Sequence, residues 1–260
     1  RSAEPAVIRR TLALLGLLAL TACAPTASEP QAASRVETRA ITVFAAASLR
    51  ETFATLVERF EASHPGTEVT LNFGASSTLA TQITEGAPAD VFASASPRNM
   101  KDVVATGHAT DPKIFARNVL TIAVPAGNPG QVKAPSDLAR PGIKVALCQP
   151  AVPCGVLADA MIAKAGLAVT PVTREADVKA VLTKVSLGEV DAGLVYVSDV
   201  RAAPGKVESV PLPADINQST DYLIAPLVTS RDADLSRAFA AYVASAEAAG
   251  VLTEAGFVRP

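Results

Sequence analysis

From Ile41 onward, short β-branched runs alternate with segments whose apolar residues recur every three or four positions. This pattern predicts strands at 41–45, 68–73 and 90–94, separated by helices at 49–62, 78–85 and 97–106. In the first helix Leu49, Phe53, Leu56, Val57 and Phe60 form one apolar stripe opposite Arg50, Glu51, Glu58 and Glu61, so the stripe faces a core. A second series follows, with extended stretches at 119–124, 144–147 and 193–197 and helices at 135–139, 155–165 and 178–187. A loop punctuated by Pro204, Gly205, Pro211, Pro213 and Asn217 then leads to a strand at 222–228 and helices at 233–245 and 246–255.

Alternation of this kind predicts an α/β fold in which mixed sheets are flanked by helices. Two such series followed by a late strand and a helical tail predict two lobes, with the chain crossing between them twice. The expected division is 41–121 plus 225–260 for one lobe and 122–224 for the other. Ligands of open α/β sheets bind beyond the carboxyl ends of the strands, so a cleft between the lobes is the expected site.

Two segments at those strand ends carry candidate chemistry. In 41–49 and again in 73–79 a strand breaks at small residues and restarts as a helix with a serine at the restart, Ser48 and Ser76. A helix start leaves backbone N–H groups unpaired at the positive end of the dipole, which suits an anion. Either serine taken alone reads first as an ordinary N-cap. Ala45 to Ala47 and Gly74 to Ala75 leave nothing bulky between a ligand and the backbone, which favours a binding site.

The first 40 residues read differently. Arg9 and Arg10 precede an apolar run at 12–20, too short to cross a bilayer but suited to a signal sequence. The run ends in Leu20-Thr-Ala-Cys23, which resembles a bacterial lipobox, so 1–22 is expected to be a lipoprotein signal peptide and Cys23 the lipidated residue. Residues 23–40, rich in Ala, Ser, Thr, Pro and Glu, read as a flexible tether. The chain opens on Arg1 rather than methionine, and a natural start upstream is expected.

Removing 1–22 takes out three of the 23 basic and one of the 25 acidic residues, so the formal charge goes from −2 to −4. That is a poor surface for nucleic acid. With Cys23 assigned to lipid, Cys148 and Cys154 remain as a candidate disulfide in an oxidising compartment, or as two independent small apolar residues. The cysteines match no metal-site spacing. A serine hydrolase is a remote alternative. Ser76 does not sit in a Gly-x-Ser-x-Gly turn, and His64 and His108, both beside turn residues, are the sole histidines available as a base.

The blocks VFAAASL at Val43, FGASSTLATQI at Phe73, GAPADVFASA at Gly86 and GLVYVSD at Gly193 resemble the ModA family of periplasmic molybdate-binding proteins over about 41–258. The resemblance implies a two-lobed type II periplasmic-binding-protein fold, no catalysis and no cofactor, and capture of molybdate, with tungstate alongside, for an ABC importer permease. It implies a monomer held outside the cytoplasm on the cell membrane by its lipid.

Carried over by position, the family's oxyanion ligands fall on Ser48, Ser76, Cys154, Val178 and Tyr196: two serine hydroxyls, two backbone N–H groups and a phenol. Ala47 and Ser77 are candidate additional donors. Cys154 departs from the pattern, since the family's turn reads Val-Pro-Ala-Gly and this chain has Val152-Pro-Cys-Gly155. The fully deprotonated molybdate dianion offers acceptors alone, so donors without a carboxylate suit it. Five charge-assisted hydrogen bonds of roughly 1.5–3 kcal/mol each approach the roughly 12 kcal/mol of nanomolar binding before association costs. Another tetrahedral oxyanion, such as sulfate or thiosulfate, is the alternative ligand on the same fold.

Overall fold

The computed structural model describes residues 38–260. The expected signal peptide, Cys23 and the tether up to residue 37 lie outside the described residues. The tether ends earlier than the sequence suggests: strand β1 (Arg39–Ala46) already includes Arg39 and Ala40, and Arg39 is held by Asp232 through hydrogen bonds of 2.7 and 2.6 Å.

The first series folds as β1, helix α1 (Arg50–Ser63), β2 (Thr67–Gly74), α2 (Ser76–Thr84), β3 (Val91–Ser94) and α3 (Pro97–Ala105). β4 (Lys113–Pro125) follows, then β5 (Val145–Cys148), α4 (Pro153–Lys164), β6 (Thr173–Glu175), α5 (Val178–Ser186), β7 (Ala192–Tyr196) and α6 (Val197–Arg201). β8 (Val207–Val210), β9 (Ser219–Pro226), α7 (Ala233–Val243) and α8 (Ala246–Glu254) complete the chain. The strands run in the order β2-β1-β3-β9-β4-β7-β5-β6, with β8 also on β4.

β4 belongs to two sheets. Its residues 113–119 pair antiparallel with β9, whereas 120–123 pair with β7 and 122–125 with β8. β1 lies parallel between β2 and β3, and β5 lies parallel between β6 and β7. The sequence assigns 219–224 to the second lobe, but β9 pairs with β3 and β4 in the first sheet from Ser219 on. The hydrophobic run that signals this strand starts at Tyr222, after its polar first residues Ser219, Thr220 and Asp221.

Each sheet has its own core. Because side chains alternate along a strand, Ile41, Val43 and Ala45 of β1 pack toward Phe53, Leu56 and Phe60 of α1 and Phe239 of α7. Phe44 points the other way, into a cluster with Leu79, Ile83, Phe92 and Met100. In the second sheet Val145, Leu147, Leu194, Met161, Val181 and Val185 belong to one buried apolar cluster. A Cβ on Gly193 would stand 2.7 Å from Val181 Cγ1 and 2.9 Å from Val185 Cγ2, so glycine in β7 is what lets α5 approach this closely.

Candidate functional site

Where these strands end, a cavity of about 20 Å³ is lined by Ala46, Ala47, Ser48, Gly74, Ala75, Ser76, Ala95, Pro153, Cys154, Asp177, Val178 and Tyr196. The structure thus brings together Ser48, Ser76, Cys154, Val178, Tyr196 and Ala47 from five separated segments. Ser77, one position and about 100° further round α2, lines an adjoining open groove of about 760 Å³ instead. That groove shares Ala95 and Pro153 with the cavity. In the smaller space Ser48, Ser76 and Tyr196 are buried.

Helix starts meet there. Ala47–Leu49 forms a short 3-10 turn before α1, α2 begins at Ser76, α4 at Pro153 and α5 at Val178. The N-caps of the first three, Ala46, Ala75 and Val152, accept no side-chain cap hydrogen bond, whereas those of α3, α7 and α8 (Ser96, Asp232 and Ser245) do. Uncapped first turns keep their N–H groups and positive dipole ends for a ligand.

The hydroxyls complete the lining. Ser76 is 1% exposed, and its Oγ accepts the Ala95 N–H at 2.9 Å, which leaves its own proton to donate. Ser48 Oγ lies 2.8 Å from Tyr222 Oη. Tyr196 is also 1% exposed, and its Oη has no hydrogen-bond partner among the described residues. Burial first, then the nearby Tyr222 and Asp199, hold the Tyr196 phenol well above its ordinary pKa, so it stays a neutral donor.

The backbone of Tyr196 is fixed from below. Its N–H donates to Asp199 Oδ2 at 3.0 Å, the first turn of α6 reaching back to its own start. Cys148 and Cys154 form a disulfide with Cα atoms 5.8 Å apart, tying the end of β5 to the start of α4 and holding Cys154 at the wall. One feature departs from a lining free of carboxylates. Asp177 also borders the cavity, with its Oδ1 accepting the Ala180 N–H at 3.0 Å as the N-cap of α5. A sequence search for donors passes over such a residue, because a capping aspartate looks the same whether or not a cavity adjoins it.

Asp199 is fully buried, and desolvation pushes its pKa up to about 6 against the pull of Lys179, whose Nζ is 3.1 Å from Oδ1 and 2.7 Å from Glu51 Oε2. A carboxyl whose pKa rises on folding binds its proton more tightly in the native state. Its contribution to stability is therefore complete below the unfolded value near 3.8 and is lost as the pH climbs through about 6. Relative to Asp199→Asn, the wild type should lose on the order of 3 kcal/mol between pH 4 and pH 7. Urea unfolding of both proteins across that range checks this, and a pH-independent difference would exclude it.

Residues 41–258 match the family model of the bacterial extracellular solute-binding proteins, and the chain belongs to that family. Among its relatives, the molybdate-binding protein ModA of Mycobacterium tuberculosis strain H37Rv is 43% identical over 223 residues, covering 85% of each chain. The protein of the same name from Haemophilus influenzae is 32% identical over 84% of this chain and 89% of its own. Among solved structures, the Azotobacter vinelandii periplasmic molybdate-binding protein superposes with a TM-score of 0.75 at 21% identity, over 85% of this chain and 99% of that one. The fold expected from the sequence, an α/β two-lobed periplasmic-binding-protein fold, is the fold found. Among the described residues no helix is long and apolar enough to cross a membrane.

Proposed function

We propose that this protein captures molybdate, and tungstate with it, and delivers the anion to an ABC importer permease without transforming it. The observation that carries the reading is the buried Tyr196 hydroxyl, a donor with no hydrogen-bond partner among the described residues, at the wall of a cavity edged by uncapped helix starts. An anion with four acceptor oxygens supplies what such a lining lacks. The ligand set proposed is Ser48 and Ser76 Oγ, the Cys154 and Val178 N–H groups and Tyr196 Oη, with Ala47 N–H adjacent.

Size supports a compact ion. About 20 Å³ falls far short of the roughly 300–1,000 Å³ of pockets for organic ligands. The identity to molybdate-binding relatives favours molybdate over sulfate or thiosulfate. In this reading the two sheets act as the two lobes, with Ser48 and Ser76 on one and Cys154, Val178 and Tyr196 on the other, so that the anion draws them together. Cys23 carries lipid, and the segment after it tethers a monomeric binding unit to the membrane outside the cytoplasm.

Thermal unfolding with molybdate, tungstate, sulfate and phosphate tests the reading. A ligand at a hundred times its Kd adds about 2.7 kcal/mol of stability. Molybdate and tungstate should raise the Tm at micromolar concentrations, and sulfate and phosphate should not. Equal shifts with sulfate would reassign the ligand, and no shift with any of the four would remove the oxyanion function.

A further inference from the structure

Three charged residues that line no part of the cavity stand close in sequence to three of the proposed ligands. Glu51 is three positions after Ser48, Lys179 follows Val178, and Asp199 is three positions after Tyr196. Each lies in the first turn of its helix, α1, α5 and α6 respectively. The fold brings them together, with Lys179 Nζ 2.7 Å from Glu51 Oε2 and 3.1 Å from Asp199 Oδ1. An ammonium group has three protons to donate, so it can serve both carboxylates at once.

The two contacts differ in what they join. Lys179 and Asp199 sit on α5 and α6, whose Val181, Val185 and Val200 pack in the core of the second sheet, so that pair is internal to one lobe. Glu51 sits on α1, whose Phe53, Leu56 and Phe60 are in the core of the first sheet. The Lys179–Glu51 pair therefore crosses from one lobe to the other. Every other ion pair among the described residues stays within a lobe. Burial differs too: the Asp199 side chain is fully buried, that of Lys179 is 14% exposed and that of Glu51 is 48% exposed. Asp199 thus pins the ammonium on its own lobe, and Glu51 meets it from across the cleft.

We propose that Lys179 and Glu51 are positioning residues that latch the closed site, their ion pair forming as the lobes approach and holding Ser48 against Val178 and Tyr196, so that release of the anion is slowed. This rests on the oxyanion reading above and on its two lobes. Glu51 also has an opposing influence. A carboxylate three residues from a ligand serine repels a bound dianion, so without a latch its removal would tighten binding. The sign of the effect separates the two.

Glu51→Gln keeps the size of a half-exposed side chain and leaves the Lys179–Asp199 pair in place. Release of labelled sodium molybdate into an excess of unlabelled molybdate should become about fivefold faster in this variant, with calorimetric affinity falling in step. The association rate should be unchanged or higher, because the pair closes after the anion has entered. Lys179→Met combined with Asp199→Asn removes the ammonium without stranding a buried charge, and in that background Glu51→Gln should no longer speed release. Release from Glu51→Gln at the wild-type rate or slower, or equally accelerated release with Lys179 absent, would overturn the latch and leave the oxyanion reading standing, since Glu51 is not a ligand in it. A wild type that takes up no molybdate would overturn that reading and the latch with it. Should the Lys179→Met/Asp199→Asn protein fail to fold, the sign of the Glu51→Gln effect still decides.

Discussion

Gly155→Ala is expected to abolish oxyanion binding and to lower the melting temperature by many degrees. A Cβ at this position in the first turn of α4 would stand 1.9 Å from Gln149 O, 2.7 Å from Gln149 C and 3.0 Å from Cys148 O. All three are backbone atoms, so no side chain can move aside. Nor can the two segments separate, because the Cys148–Cys154 disulfide joins them. Overpacking of this kind typically costs 1–3 kcal/mol, and here about 3 kcal/mol or more is expected because the obstacle is main chain. Any relief has to come from swinging the start of α4 outward, which carries the Cys154 N–H away from the cavity. Circular dichroism melting and calorimetry with molybdate check both effects, and a variant with wild-type Tm and affinity would show that the turn is far softer than its packing indicates.

Ser76→Ala and Ser48→Ala should each weaken molybdate binding about ten- to a hundredfold, the loss of one donor to a buried charge at roughly 1.5–3 kcal/mol. Their effects on the unliganded fold should be smaller but real. Ser76→Ala strands the buried Ala95 N–H, and Ser48→Ala removes a hydrogen-bond partner of the buried Tyr222 hydroxyl. About 1–3 kcal/mol of stability is expected to go with either. Titration calorimetry and denaturant unfolding on the same preparations separate the two quantities, and wild-type affinity in both variants would remove the serines from the site.

How much of this was legible in the sequence follows from where the signals lie. The α1 stripe predicts its buried residues Phe53, Leu56, Val57 and Phe60, because a 3.6-residue period with charges opposite leaves one way to pack. The serines stand out for a similar reason: strand, small residues and helix follow one another within a few positions.

What escaped is short or depends on tertiary pairing. β6 is Thr173-Arg-Glu175 and β8 is Val207-Glu-Ser-Val210, too brief and too polar to show a strand period. The first half of β4, from Lys113, mixes charged and apolar residues and becomes a strand by pairing with β9. Tyr222 opens the strand expected at 222–228, but its hydrogen bond with Ser48 spans 174 residues and leaves no local trace. Asp199 and Lys179 escaped likewise, since burial is what gives the carboxyl its shifted pKa.

The central claim, that the small cavity between the helix starts is an oxyanion site, is tested most directly by crystals grown with sodium molybdate and measured at the molybdenum absorption edge. One anomalous peak per chain is predicted, inside the cavity bounded by Ser48, Ser76, Cys154, Val178 and Tyr196, with Tyr196 Oη within hydrogen-bond distance of an anion oxygen. A peak elsewhere, or none at saturating molybdate, would contradict the account.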